Sequence, residues 1–178
     1  MFGSNVQPFG RGEYADGVRV PADVQGGLFE FKDILTATSN PRSGREVLMR
    51  LVKNDSGGEL LPGRGVAYKA TGADNFGKVV GGYSGAGEKV DGVVDWTLPS
   101  AGVPDGKWFW MAVPRGPVYV VSDGASTLAR GDILKTAASG KFTKDSATPA
   151  TNGKAGYCED VSVTNVDGTN FWMELTGA

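Results

Sequence analysis

Lys107-Trp108-Phe109-Trp110-Met111-Ala112-Val113 is the stretch on which the fold turns. On an extended strand successive side chains point to opposite faces, so Trp108 and Trp110 point one way and Phe109 the other. Both faces are then bulky and apolar, and such a strand is covered on both sides. The reading is a central core strand. An aromatic sugar-binding platform would instead need the tryptophan face open to solvent. The run is far too short to cross a bilayer, which takes about 20 residues.

Outward from this run the chain reads as short strands cut by turns. Leu28-Phe29-Glu30-Phe31-Lys32 is one. Residues 46–53 (EVLMRLVK) also fit a helical face through Val47, Leu48, Leu51 and Val52. The turn Asn54-Asp55-Ser56-Gly57-Gly58 follows at once, then Glu59-Leu60-Leu61-Pro62-Gly63, and these decide for a strand. Further strands are expected at 66–69, 78–80, 92–98, 118–121, 133–136, 160–164 and 170–176. Their spacing is close to the 8–12 residues of barrels and sandwiches. Only residues 125–130 could make a helical turn. The 28 glycines among 178 residues have no three-residue period, which excludes collagen and fits many tight turns. The fold class is all-β.

Residues 1–27 carry isolated Phe2, Phe9 and Tyr14 among Gly, Pro and polar residues, with no period of 2 or 3.6. They read as an extended N-terminal arm ahead of a β-rich domain over 28–178. Ordering spaced aromatics costs entropy, so they order where pockets receive them. Phe2, Phe9, Arg11, Tyr14 and Arg19 are the candidate contacts to a partner, with Glu13 beside them. A chain starting near Gly26 is expected still to fold.

Composition narrows the function. Eighteen basic residues against 20 acidic ones give a net charge of −2, which disfavours a nucleic-acid partner, since coating a duplex needs a surplus of Lys and Arg. The N-terminus Met1-Phe2-Gly3-Ser4-Asn5 lacks the pattern of a signal peptide, and no membrane partner is expected. The single Cys158 has no partner for an internal disulfide, which fits folding in a reducing cytoplasm.

Chemistry-bearing motifs are sparse. With no histidine, Ser-His-Asp and Cys-His catalysis are excluded, as are the usual zinc sites. Residues 72–79 (GADNFGKV) nearly spell a phosphate loop, but Val79 stands where Ser or Thr is needed and Val80-Gly81-Gly82 opens no helix. Arg130-Gly131-Asp132 reads as a turn before the apolar Ile133-Leu134. Ser139 and Lys141 could form a Ser-Lys pair only if the lysine were desolvated, and their segment is polar and turn-like. Asp91 and Asp95 would share one face of a strand, on an ordinary surface. Asn54-Asp55-Ser56 is a glycosylation sequon that reads as a turn. No catalytic residue, cofactor or metal is expected, and the chain reads as a non-enzyme.

Residues 51–66 (LVKNDSGGELLPGRGV) resemble a pattern in the capsid decoration (cement) proteins of tailed phages, where a strand, an Asn-x-Ser-Gly turn and a Leu-x-Pro-Gly turn recur. Residues 102–110 with 115–118 are similar to a second block, and 121–124, 131–134 and 153–157 to a third. The resemblance covers about half the chain by eye. It implies a small β-barrel or β-tulip-like body on the outer face of a capsid, often a trimer, with the major capsid protein and neighbouring copies as partners and the virion as location. It carries over no site residue. The alternatives are a phage tail, fibre or baseplate β-domain binding host glycans, which would expose Trp108 and Trp110, and an unrecognised hydrolase, which would show a deep pocket holding a desolvated Lys or a close carboxylate pair.

Overall fold

The computed structural model describes residues 7–32, 46–71, 77–147 and 154–176. Their strands, in chain order, are β1 (Tyr14–Ala15), β2 (Leu28–Lys32), β3 (Glu46–Asn54), β4 (Gly65–Tyr68), β5 (Val79–Tyr83), β6 (Gly92–Val94), β7 (Trp108–Ala112), β8 (Gly116–Val121), β9 (Leu128–Ala129), β10 (Ile133–Thr136), β11 (Phe142–Lys144), β12 (Lys154–Cys158), β13 (Ser162–Val163) and β14 (Asn170–Leu175). The helical content among the described residues is two 3-10 turns, Gly17–Arg19 and Ala138–Gly140. The chain is all-β.

The aromatic run forms β7, and its position explains its composition. One edge pairs with β3, from Met49 opposite Ala112 to Lys53 opposite Trp108. The other edge takes β6 at Met111 and Ala112 and β1 at Trp108 and Phe109. The far edge of β3 takes β2 antiparallel and then β5 in parallel. With β4 between β5 and β6, the strands β3-β5-β4-β6-β7 close on themselves. The ring is not a regular barrel. Only two residue pairs join β3 to β5, and the β4–β5 register shifts at Ala67 and Tyr68.

Inside the ring lie Val52, Val66, Val80, Val94, Phe109 and Met111. Outside it, Met49, Leu51, Trp108, Trp110 and Ala112 face a second core shared with Val118, Val120, Phe171, Met173 and Leu175. Alternation along β7 thus feeds two cores, and no residue of the strand is left for solvent.

The second sheet runs β11-β10-β12-β14-β8, all antiparallel. A bridge from Ser122 to Phe142 brings its two ends together. Gly156 permits the close approach of β12 and β14, since a Cβ there would lie 1.9 Å from the Glu174 carbonyl oxygen. A ribbon of β9 and β13 completes the fold. The helical turn expected at 125–130 does not form. The Asp123 carboxylate accepts the Ala125 N–H and holds a bend, after which Leu128 and Ala129 pair with Val163 and Ser162.

Candidate interaction surface

Residues 7–27 run through turns, the short strand β1 and the 3-10 turn at Gly17–Arg19, and they lie as a strap across this chain's own sheet. Ala15, Val20 and Val24 are buried in the shared core. Phe9 packs on Trp110 with ring centres 5.4 Å apart, and Trp110 Nε1 donates to the Phe9 carbonyl at 3.1 Å. Phe29 and Phe31 close on the same indole at 5.1 and 4.9 Å, edge to face. Trp110 is fully buried and Trp108 is 6% exposed, so neither offers a face to a sugar.

The strap is fixed by charge as well. Arg11 Nη2 meets Asp95 Oδ1 at 2.8 Å, and the guanidinium lies 4.5 Å from the centre of the Trp96 ring. Asp95 also accepts the N–H groups of Gly12 and Thr97 and the Thr97 hydroxyl. Its side chain is 1% exposed and that of Arg11 10%. Asp95 therefore anchors the strap and does not lie on an open surface beside Asp91, as strand alternation suggested. Further on, Lys107 Nζ pairs with Asp16.

The five candidate contact residues are divided by this packing. Phe9 and Arg11 spend their side chains within the chain. Tyr14 and Arg19 are exposed, as is Glu13. Phe2 lies outside the described residues. Val18, which sequence reading passed over, is 99% exposed on the 3-10 turn between Tyr14 and Arg19. A valine amid Gly17 and Arg19 carries no periodic signal, so only the structure reveals it. The outer side of the strap thus presents Tyr14 and Val18 with Glu13 and Arg19 around them.

The other motifs are structural in their settings. Asn54 is buried, donating to the carbonyls of Gly58 and Val103 and accepting from the Ser56 N–H, so the sequon asparagine is enclosed. Of the loop at 72–79, residues 72–76 lie outside the described residues, and Val79 begins a strand where a phosphate loop needs a helix. Lys141 pairs with Asp167. Among the described residues no three His, Cys, Asp or Glu side chains gather as a metal centre.

In the Arg-Gly-Asp turn, Arg130 Nε donates to the Glu159 carbonyl, and Asp132 takes the Ala129 N–H at 2.8 Å and Lys144 at 2.7 Å. Burial pushes the Asp132 carboxyl up, but the Lys144 hydrogen bond, the Ala129 N–H and the Lys144 charge outweigh it and hold it below the usual carboxylate range. A depressed carboxylate stabilises the fold above its unfolded value, and that contribution is lost as pH falls through the folded value. Asp132→Asn is expected to cost about 1 kcal/mol or less at pH 7. Urea denaturation at pH 7 and at pH 3 checks this: the gap between the two proteins should narrow at the lower pH.

No protein-family model matches the sequence, and no curated protein matches it. Among solved structures, the chain is similar to the head fibre gp8.5 N base of bacteriophage phi29. The TM-score is 0.52 at 16% identity, over 72% of this chain and 92% of that one. The likeness is one of fold. It spans nearly the whole of a fibre-base chain, whereas the sequence resemblance was to decoration proteins.

Proposed function

We propose that this chain is a structural protein of a phage head, bound to the outer surface of the capsid and stabilising it without catalysis. The fold likeness to a head-fibre base carries the reading. The exposed Tyr14, Val18 and Arg19 on the strap support it as the contact with the major capsid protein. Binding only to the assembled lattice stabilises that lattice by mass action and needs no cofactor. The unit on the lattice is a homotrimer, in keeping with the decoration-protein resemblance.

Co-sedimentation with capsids that lack the protein tests this. The chain should pellet with them and raise their melting temperature. Tyr14→Ser with Val18→Asp should weaken binding about ten-fold or more, roughly the loss of one apolar contact site, with the chain's own melting temperature unchanged. No binding, or full binding by the double variant, counts against the reading. A single copy per site on decorated capsids would remove the trimer.

A second reading, a fibre base, is favoured by the 92% coverage of the phi29 fibre-base chain. It differs in what stands above the body. Electron microscopy of the infectious particle would show a projecting shaft over each bound copy for a fibre base and a low cap for a cement protein.

A further inference from the structure

At one end of the five-strand ring lies a groove of about 470 Å³ whose lining includes Leu28, Leu48, Arg50, Tyr68, Asp91 and Val113. Arg50 shares a face of β3 with Leu48 and Val52, and its cross-strand partners are Leu28 on β2 and Met111 on β7. Its guanidinium carbon is 5.9 Å from the centre of the Tyr68 ring, and its Nε is buried with no hydrogen-bond partner among the described residues. Gly77 lets it lie there, because a Cβ on that residue would fall 2.5 Å from Arg50 Nη1. The nearest acid of the lining is otherwise engaged: Asp91 accepts the Tyr68 N–H at 2.9 Å and faces Lys89 at 3.5 Å. The Tyr68 hydroxyl meets the Arg50 guanidinium, which leaves Nε as the unmet donor, and a buried donor without a partner lowers stability. An occupant of the groove that accepts from Nε would offset that cost.

We propose that this groove binds an extended acidic peptide segment, with a carboxylate on Arg50 and a neighbouring apolar side chain against Leu28 and Leu48. The wall chemistry selects a peptide. Leu28, Leu48 and Val113 are aliphatic, whereas a sugar acid is held by an open aromatic face, and Arg50 already covers Tyr68. Inorganic phosphate asks for several converging cations, and Asp91 pairs with Lys89, which leaves a single guanidinium and suits one carboxylate. A neighbouring hollow of about 310 Å³ shares Leu28 and Leu48 and adds Gln7, Phe29 and Glu30, which gives an extended segment room to run on. The exposed Glu30 at that far end repels a second acid there, so the occupant's acidic residue belongs at the Arg50 end. The site does not depend on the head-surface reading.

Fluorescence anisotropy with the full chain tests it. The probes are labelled hexapeptides with one Asp or Glu among aliphatic residues, against the same peptides carrying Asn or Gln. Glucuronic acid and inorganic phosphate serve as competitors. Acidic peptides should bind about ten-fold more tightly than their amide counterparts, as a charged hydrogen bond allows. Arg50→Met should abolish that preference and leave the melting temperature equal or higher, and Leu28→Ser should weaken every acidic peptide. Absence of acid preference overturns the proposal, as does acid preference surviving in Arg50→Met. A melting temperature lowered by Arg50→Met would make the arginine structural. Displacement of the peptide by either competitor at matching concentration would make the groove a small-anion site instead.

Discussion

A chain that starts at Gly26 is expected not to fold. Removing the strap takes Ala15, Val20 and Val24 out of the shared core and strips Phe9 from Trp110. Burial of Val20 and Val24 alone is worth about 1.5–3 kcal/mol each. Asp95 is left deep in the chain without Arg11, a loss of about 3–5 kcal/mol, and the β1-facing edge of β7 loses its partner. The sum reaches the whole stability of a typical domain, about 5–15 kcal/mol. Circular dichroism on heating should show no cooperative transition for the shortened chain. A sharp melt within a few degrees of the full chain would show that the strap is dispensable. This reverses what the sequence suggested, where the strand pattern beginning at Leu28 marked the start of a self-sufficient body.

Asp95→Ala is expected to cost about 3–5 kcal/mol, the usual result of removing one partner from a buried ion pair. Three further donors lose their acceptor at the same time, the N–H groups of Gly12 and Thr97 and the Thr97 hydroxyl. Urea denaturation gives the number. The matching cycle with Arg11→Ala separates the pair from the turn: the two changes together should cost clearly less than their sum. A single-variant loss below about 1 kcal/mol would mean that water reaches the carboxylate, as at surface pairs.

Where a residue's role follows from its neighbours in sequence, reading it was straightforward. Leu28–Lys32 and Ile133–Thr136 are strands with the expected bounds, and the strand expected at 46–53 runs one residue further, to Asn54. Gly26-Gly27 precedes the first, Gly131-Asp132 precedes the second, and Asp55-Ser56-Gly57 follows the third. The aromatic run was legible as doubly covered because alternation alone put bulk on both faces. The strap was not, since its buried residues Ala15, Val20 and Val24 follow no period and the residue that Ala15 pairs with, Trp108, lies far along the chain. Asp95 was misjudged for a related reason. Strand alternation placed it with Asp91, but β6 ends at Val94 and Asp95 begins a turn closed by Thr97. Asp-x-Thr just past a strand is the local signal that could have found it. Val18 and the groove at Arg50 left no trace in the pattern. One is a lone exposed side chain, and the other is assembled from β2, β3, β4 and the segments around Asp91 and Val113.

The pairing of Ala15 with Trp108 also sets a clock on synthesis. The strap leaves the ribosome first, yet its docking surface is complete only when β7 has followed it. The roughly 100 residues between them take about 5–20 s to add at about 5–20 residues per second. Throughout that interval Phe9 and Ala15 lack their partners Trp110 and Trp108. Where several ribosomes translate one message, a finished β7 on an older chain is the first surface able to accept them. Exchange of the strap between siblings then yields a swapped dimer with the same contacts as the monomer, so the proportion of swapped material should rise with ribosome density on the message.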